Sequence, residues 1–147
     1  MKASLIIALG VALGPACEGR VQAHEDLLAR IASLTTQLST NQNNVDTLLQ
    51  RADLYRLHGD WPEARSDYVA VGKLTPNSAP LLFGLARLDA DAGDNPAARA
   101  AYDEFISRFP TNGAAFIGRA RVLTKLGERK AAIADYSRRL QASWSCA

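Results

Sequence analysis

Few side chains in this chain are able to do chemistry, and most of those are badly spaced for it. His24 and His58 are its two histidines, and Cys17 and Cys146 its two cysteines. Cleavage after Ala23 would leave His24 at the N-terminus, where a histidine can chelate copper, but such a site normally needs a second histidine nearby. His58 is expected at the end of a helix, facing solvent and the helix dipole. No metal site and no cofactor are therefore expected. The stretch DADAGDN, Asp89 to Asn95, superficially resembles a calcium loop, in which the sixth residue is glycine and the twelfth glutamate. Here Gly93 is fifth and the twelfth residue is Ala100. A helix end followed by an N-cap at Asp94 or Asn95 accounts for it better. No Ser-His-Asp set, phosphate-cradling glycine loop or paired-carboxylate cleft is visible. The chain does not read as an enzyme.

Composition narrows the remaining classes. With 48% hydrophobic and 22% charged residues, the chain can bury a core and is not of the disordered type. Its 17 basic and 15 acidic residues nearly balance, which argues against a nucleic-acid binder needing a basic face. The N-terminus is distinct: in MKASLIIALGVALGPACEGRVQA, a charged Lys2 precedes an apolar run from Leu5 to Leu13. The run is too short to span a bilayer and fits the apolar region of a secretory signal peptide, residues 1–23. Val21 and Ala23 supply the small residues of a cleavage site. The alternative export signal is Cys17 in GPAC, loosely like a lipoprotein box, which would make a lipid anchor and a membrane contact. The expected location is periplasmic or secreted. Loss of Cys17 with the signal would leave Cys146 alone, with no intramolecular disulfide.

The elements that must position any site show themselves as a repeat. LHGDWPEARSDY, from Leu57, returns thirty-four residues later as DAGDNPAARAAY. At that period the chain divides into 45–78, 79–112 and 113–146. Alanine recurs at the eighth position (Ala52, Ala86, Ala120) and the twentieth (Ala64, Ala98, Ala132). Glycine recurs at the fifteenth (Gly59, Gly93, Gly127) and tyrosine at the twenty-fourth (Tyr68, Tyr102, Tyr136). Glycine just past an apolar-periodic run ends a helix in the left-handed conformation. Pro62 and Pro96 fall in the first turn of a second helix, where a missing N–H costs nothing. Pro76 and Pro110 stop that helix. Facing alanines let two antiparallel helices approach, and the tyrosines fill the groove beside them. Each unit is thus predicted to be a helical hairpin. A preceding amphipathic helix, 24–39, carries Leu27, Leu28, Ile31, Leu34 and Leu38 on one face.

This pattern resembles the tetratricopeptide repeat, whose thirty-four-residue unit carries small residues at positions eight and twenty and a closing proline. The first unit is the best match. The second departs at Asp89, where the family usually has an apolar or aromatic residue, and the third at Trp144, where proline is expected. The resemblance implies an all-α, right-handed solenoid of stacked hairpins over residues 24–147. It also implies a concave groove lined by the leading helix of each unit, at positions two, five, nine, twelve and thirteen. Those positions give Leu49, Asp53, Arg56, Phe83, Arg87, Ile117, Arg121 and Lys125 as candidate partner-binding residues. Leu49, Phe83 and Ile117 would form an apolar ladder, with Arg87 and Arg121 beside it. The lysines and asparagines by which some members clamp a C-terminal carboxylate are missing here. The function implied is an exported adaptor or scaffold for a peptide or protein. A lipid-anchored subunit of a bacterial envelope assembly complex is the alternative.

Two further expectations concern stability and assembly. Arg51 with Asp67, and Arg119 with Asp135, occupy matching positions in the outer units, whereas the middle unit has Leu85 and Ala101. Charges that appear together or not at all read as ion pairs between the helices of one hairpin. The last unit runs straight into LQASWSCA, so an apolar edge around Ile133, Leu140 and Trp144 is expected, to be covered by homodimerisation or by a partner, or else to fray.

Overall fold

The computed structural model describes residues 15–144, with side chains from Ala23 to Arg138. The expected signal peptide, Cys17, Leu140, Trp144 and Cys146 lie outside the described side chains. Helices α1 (Pro15–Thr40), α2 (Val45–His58), α3 (Trp61–Leu74), α4 (Ala79–Asp91), α5 (Asn95–Arg108), α6 (Gly113–Lys125) and α7 (Arg129–Trp144) follow one another, with no strand among the described residues. The starts of α2, α4 and α6 are spaced at the sequence period, and so are those of α3, α5 and α7. Helix α1 begins at Pro15 rather than at residue 24. Proline is tolerated there because a first-turn N–H has no intrahelical acceptor. None of the described helices is long and apolar enough to cross a membrane.

Local chemistry sets the boundaries. Gly59, Gly93 and Gly127 adopt φ of 96°, 85° and 82°, a region a Cβ disfavours, and each ends the leading helix of its hairpin. Asn44, Asp94 and Asn112 accept from the N–H groups of Thr47, Ala97 and Ala115, capping α2, α5 and α6. The Asp89–Asn95 segment is therefore a helix end and a cap, as its composition suggests. Pro62, Pro80 and Pro96 all lie in first turns.

Pairing is regular: α2 packs on α3, α4 on α5 and α6 on α7, while α1, α3 and α5 each pack on the leading helix that follows. The leading helices α2, α4 and α6 also touch one another in order. Ala52, Ala64, Ala86, Ala98 and Ala120 are fully buried, so small residues do hold the hairpin seams together. Ile31, Leu34 and Leu38 bury the inner face of α1 against α2, whereas Leu28 stays exposed. Tyr68 and Tyr102 are buried between hairpins, and a Cβ on Gly84 would come within 2.5 Å of the Tyr68 ring. Gly118 stands in the same relation to Tyr102. These glycines are a stacking device: each admits the tyrosine of the preceding hairpin. Tyr136 does not fill a groove as expected. It is 41% exposed, and Ile133 is 65% exposed on the outer side of α7.

The paired charges form as the sequence suggests. Arg51 Nε and Nη2 donate to the two Asp67 oxygens at 2.8 and 2.7 Å. Arg119 grips Asp135 in the same fork at 2.7 and 2.6 Å. Each guanidinium also reaches the preceding helix, Arg51 to Thr35 at 3.0 Å and Arg119 to Asp103 at 2.7 Å. These bonds hold both guanidiniums more firmly protonated than usual, the Asp67 and Asp135 hydrogen bonds being the largest cause. The pairs therefore stitch three helices rather than two. Asp89, the second unit's departure, is buried and takes a hydrogen bond from Arg65 of α3.

Candidate functional site

The inner faces of α2, α4 and α6 form a groove of about 480 Å³. Six of the eight sequence candidates line it: Arg56, Phe83, Arg87, Ile117, Arg121 and Lys125. Asp91, Tyr102 and Val122 lie among them. Phe83 and Ile117 share a face because position five recurs one helical hairpin apart. Four cations against the single lining carboxylate of Asp91 make the wall basic.

Leu49 and Asp53 are placed elsewhere. Leu49 packs half-buried against the core cluster built on Leu48, Tyr68 and Leu81, so the apolar ladder has two rungs here rather than three. Asp53 borders a second cleft, between α1 and α2, with Arg30 and Gln37. Its carboxylate is occupied: Tyr68 Oη donates to Oδ1 at 3.0 Å and Arg56 Nε at 3.2 Å, with Arg87 Nη1 at 3.6 Å. Burial, with Asp53 beside it, pushes the Tyr68 hydroxyl well above the ordinary tyrosine pKa. Asp53, its side chain 45% exposed, thus bridges two cations of the groove wall, Arg56 and Arg87.

Arg56 also differs from expectation. It is only 6% exposed and forms the groove's floor, held by Asp53 and by a hydrogen bond to Asp91 of the next hairpin. Burial works against its charge, but these carboxylates outweigh it and keep the guanidinium firmly protonated. Its Nη2 is buried with no hydrogen-bond partner. Such an unpaired buried donor is a cost to the fold, offset by the bonds its Nε and Nη1 make to Asp53 and Asp91. Phe83 is likewise shared between groove and core. Its ring packs 5.1 Å from Phe105 and edge-on to Tyr102 at 6.2 Å, while the Arg87 guanidinium lies over it at 5.7 Å. Truncating Phe83 therefore disturbs packing as well as the groove. Ile117, Arg121 and Lys125 face the groove without belonging to a core cluster.

The sequence could have disclosed Gly84 and Gly118, which hold the same position in consecutive units opposite the tyrosines. It could not disclose that the histidines meet. His58 does not simply face solvent, because the His24 ring on α1 lies against it, with Nε2 atoms 2.9 Å apart.

Comparison with known proteins agrees with the geometry. Residues 81–112 match the tetratricopeptide repeat family model. A crystal structure of a tetratricopeptide repeat protein from Parabacteroides merdae superimposes with a TM-score of 0.72 at 21% identity, over 85% of this chain and 50% of its own. The chain thus spans half the length of that relative. Two crystal structures of MamA superimpose with TM-scores of 0.69 and 0.68 at 21% and 22% identity, over 90% and 85% of this chain and 76% and 68% of theirs. A comparison with curated proteins found no match. Solenoids of helical hairpins typically act as non-catalytic protein-interaction scaffolds, through the concave surface that stacking creates. This chain has the tetratricopeptide fold, an all-α solenoid of stacked helical hairpins, and carries a tetratricopeptide repeat at residues 81–112.

Proposed function

We propose that the chain is an adaptor whose α2–α4–α6 groove holds a partner segment carrying an apolar side chain next to carboxylates. One observation carries this reading: Phe83 and Ile117 stand among Arg87, Arg121 and Lys125 on one groove wall. An apolar anchor would pack between the two rungs, and a carboxylate beside it would pair with the accessible cations Arg87, Arg121 and Lys125. Buried aromatic and arginine positions are where interfaces concentrate their energy.

Selection from a random displayed-peptide library tests it. Peptides with an apolar residue flanked by Asp or Glu should be enriched on the native chain and lost on the Arg87→Glu, Arg121→Glu variant. Ile117→Ala should weaken those peptides by about 1–2 kcal/mol with little change in melting temperature. Enrichment of basic peptides, or equal capture by the variant, would overturn the reading.

Export belongs to the same proposal, supported by the sequence of residues 1–23. Intact mass of the protein from its own cell decides: a start at His24 supports a periplasmic or secreted adaptor. A start at Cys17 with acyl mass supports a lipid-anchored subunit of an envelope assembly. Self-association across α7 is a separate reading, favoured by the exposure of Ile133 and Tyr136. Sedimentation of native and Ile133→Lys chains tests it, since only the native chain should then dimerise.

A further inference from the structure

His24 and His58 come from different helices, and their Nε2 atoms converge to 2.9 Å, with ring centroids 4.9 Å apart and planes tilted by 44°. One ring can donate to the other's lone pair, but two Nε2–H groups could not face each other. The far side of His58 indicates which ring holds the lone pair. Its Nδ1 lies 2.8 Å from Asp60 Oδ2, and a carboxylate only accepts. Nδ1 therefore carries the proton, and in the neutral ring Nε2 presents its lone pair toward His24. A carboxylate that fixes the tautomer and aim of an imidazole is the usual outer partner of a metal-ligating histidine.

Asp60 gives a second, independent indication. It occupies the N-cap position of α3 yet makes no capping hydrogen bond. Asp94, at the equivalent position of the next hairpin, does cap, accepting from Ala97 N at 3.1 Å. The Asp60 side chain turns to the imidazole instead.

We propose that His24 and His58 form a binding site for a divalent ion of the copper class. Metal–nitrogen bonds of about 2.0–2.1 Å at right angles put two nitrogens about 2.9 Å apart, whereas a tetrahedral ion needs about 3.3 Å. The observed separation is that of the hydrogen bond between the two rings and lies close to the right-angled spacing, and Cu²⁺ heads the affinity order for nitrogen sites. His24 is exposed and the His58 side chain 21% exposed, so an ion can reach the pair from solvent, displacing the proton on His24 Nε2 that bridges the rings. Among the described residues no group of three or more His, Cys, Asp or Glu side chains converges. The remaining positions on the ion would go to water. Helix α1 packs on α2 alone among the described helices, so the ion would tie the N-terminal helix to the first hairpin a second time.

Titration of the purified chain with Cu²⁺, followed by electron paramagnetic resonance and calorimetry, tests this. A Cys17→Ser, Cys146→Ser background removes both competing thiols. One Cu²⁺ per chain with hyperfine splitting from two imidazole nitrogens is expected. His58→Asn and His24→Asn should each lose one nitrogen and weaken binding by more than about tenfold. Asp60→Asn should keep both nitrogens but weaken binding about tenfold, as loss of an outer partner does. Because His24 lies exposed on α1, its variant reads the site even if His58→Asn perturbs the helix end. A native signal without two imidazole nitrogens, or native affinity retained in either histidine variant, would overturn the proposal.

Discussion

Replacing Arg119 by leucine should destabilise the protein more than replacing Arg119 and Asp135 together. Asp135 is 4% exposed, and both its oxygens accept from the Arg119 guanidinium, at 2.6 and 2.7 Å. Arg119→Leu strands that carboxylate out of water, and removing one partner of a buried pair costs roughly 3–5 kcal/mol. The Arg119 side chain is itself 18% exposed, which lets some water in and argues for the lower end, about 3 kcal/mol. Arg119→Leu with Asp135→Ala copies what the middle hairpin already carries, Leu85 and Ala101, and should lie within about 1 kcal/mol of the native chain. The guanidinium's bond to Asp103 and its place over the Phe116 ring are lost in both variants, so they cancel in the comparison. Urea and thermal unfolding of the native, two single and double-substituted chains measure the coupling. With about 4 °C per kcal/mol for a chain of this size, the single variant should melt about 10 °C below the double. If Arg119→Leu is no less stable than the double variant, the pair does not act as a buried unit and the reasoning fails.

Gly118→Ala should be destabilising by about 1–2 kcal/mol despite alanine's better helix propensity, because its Cβ meets the Tyr102 ring and overpacking costs about 1–3 kcal/mol. Gly72→Ala, whose Cβ would meet only Leu81 Cδ2 at 3.6 Å, should be neutral or gain up to about 1 kcal/mol in the same melts. Burial raises the pKa of both Tyr68 and Tyr102 in the folded chain. Their contribution is therefore full below the unfolded tyrosine pKa near 10 and is lost as pH rises above it. Unfolding free energy measured between pH 9 and 11 should fall less steeply for Tyr102→Phe than for the native chain (an equal slope would contradict this).

The hairpins were legible because their signals are local. Glycine in the left-handed conformation and proline in the first turn act within a few residues, and they put α2, α4 and α6 at the spacing read from the sequence. The Arg51–Asp67 and Arg119–Asp135 pairs were legible for a related reason, since both partners lie within one hairpin. Contacts between hairpins were not. Its place in the unit puts Arg56 in the groove, where it lies, but only stacking brings Asp91 of the next hairpin over it. Leu49 shares its position with Phe83 and Ile117, yet it packs half-buried against the first core cluster instead. His24 and His58 lie one period of thirty-four residues apart, but they meet only because α1 runs alongside α2.

The central claim is that the groove between α2, α4 and α6 receives a partner's apolar and acidic segment. A photoreactive group placed at the apolar residue of a selected acidic peptide tests it most directly. Cross-links read by mass spectrometry should fall on α4 and α6 around Phe83, Ile117 and Arg121, and should disappear when Arg87 and Arg121 are both changed to glutamate. Cross-links on the outer helices α3, α5 or α7, or an unchanged pattern in that variant, would contradict the account.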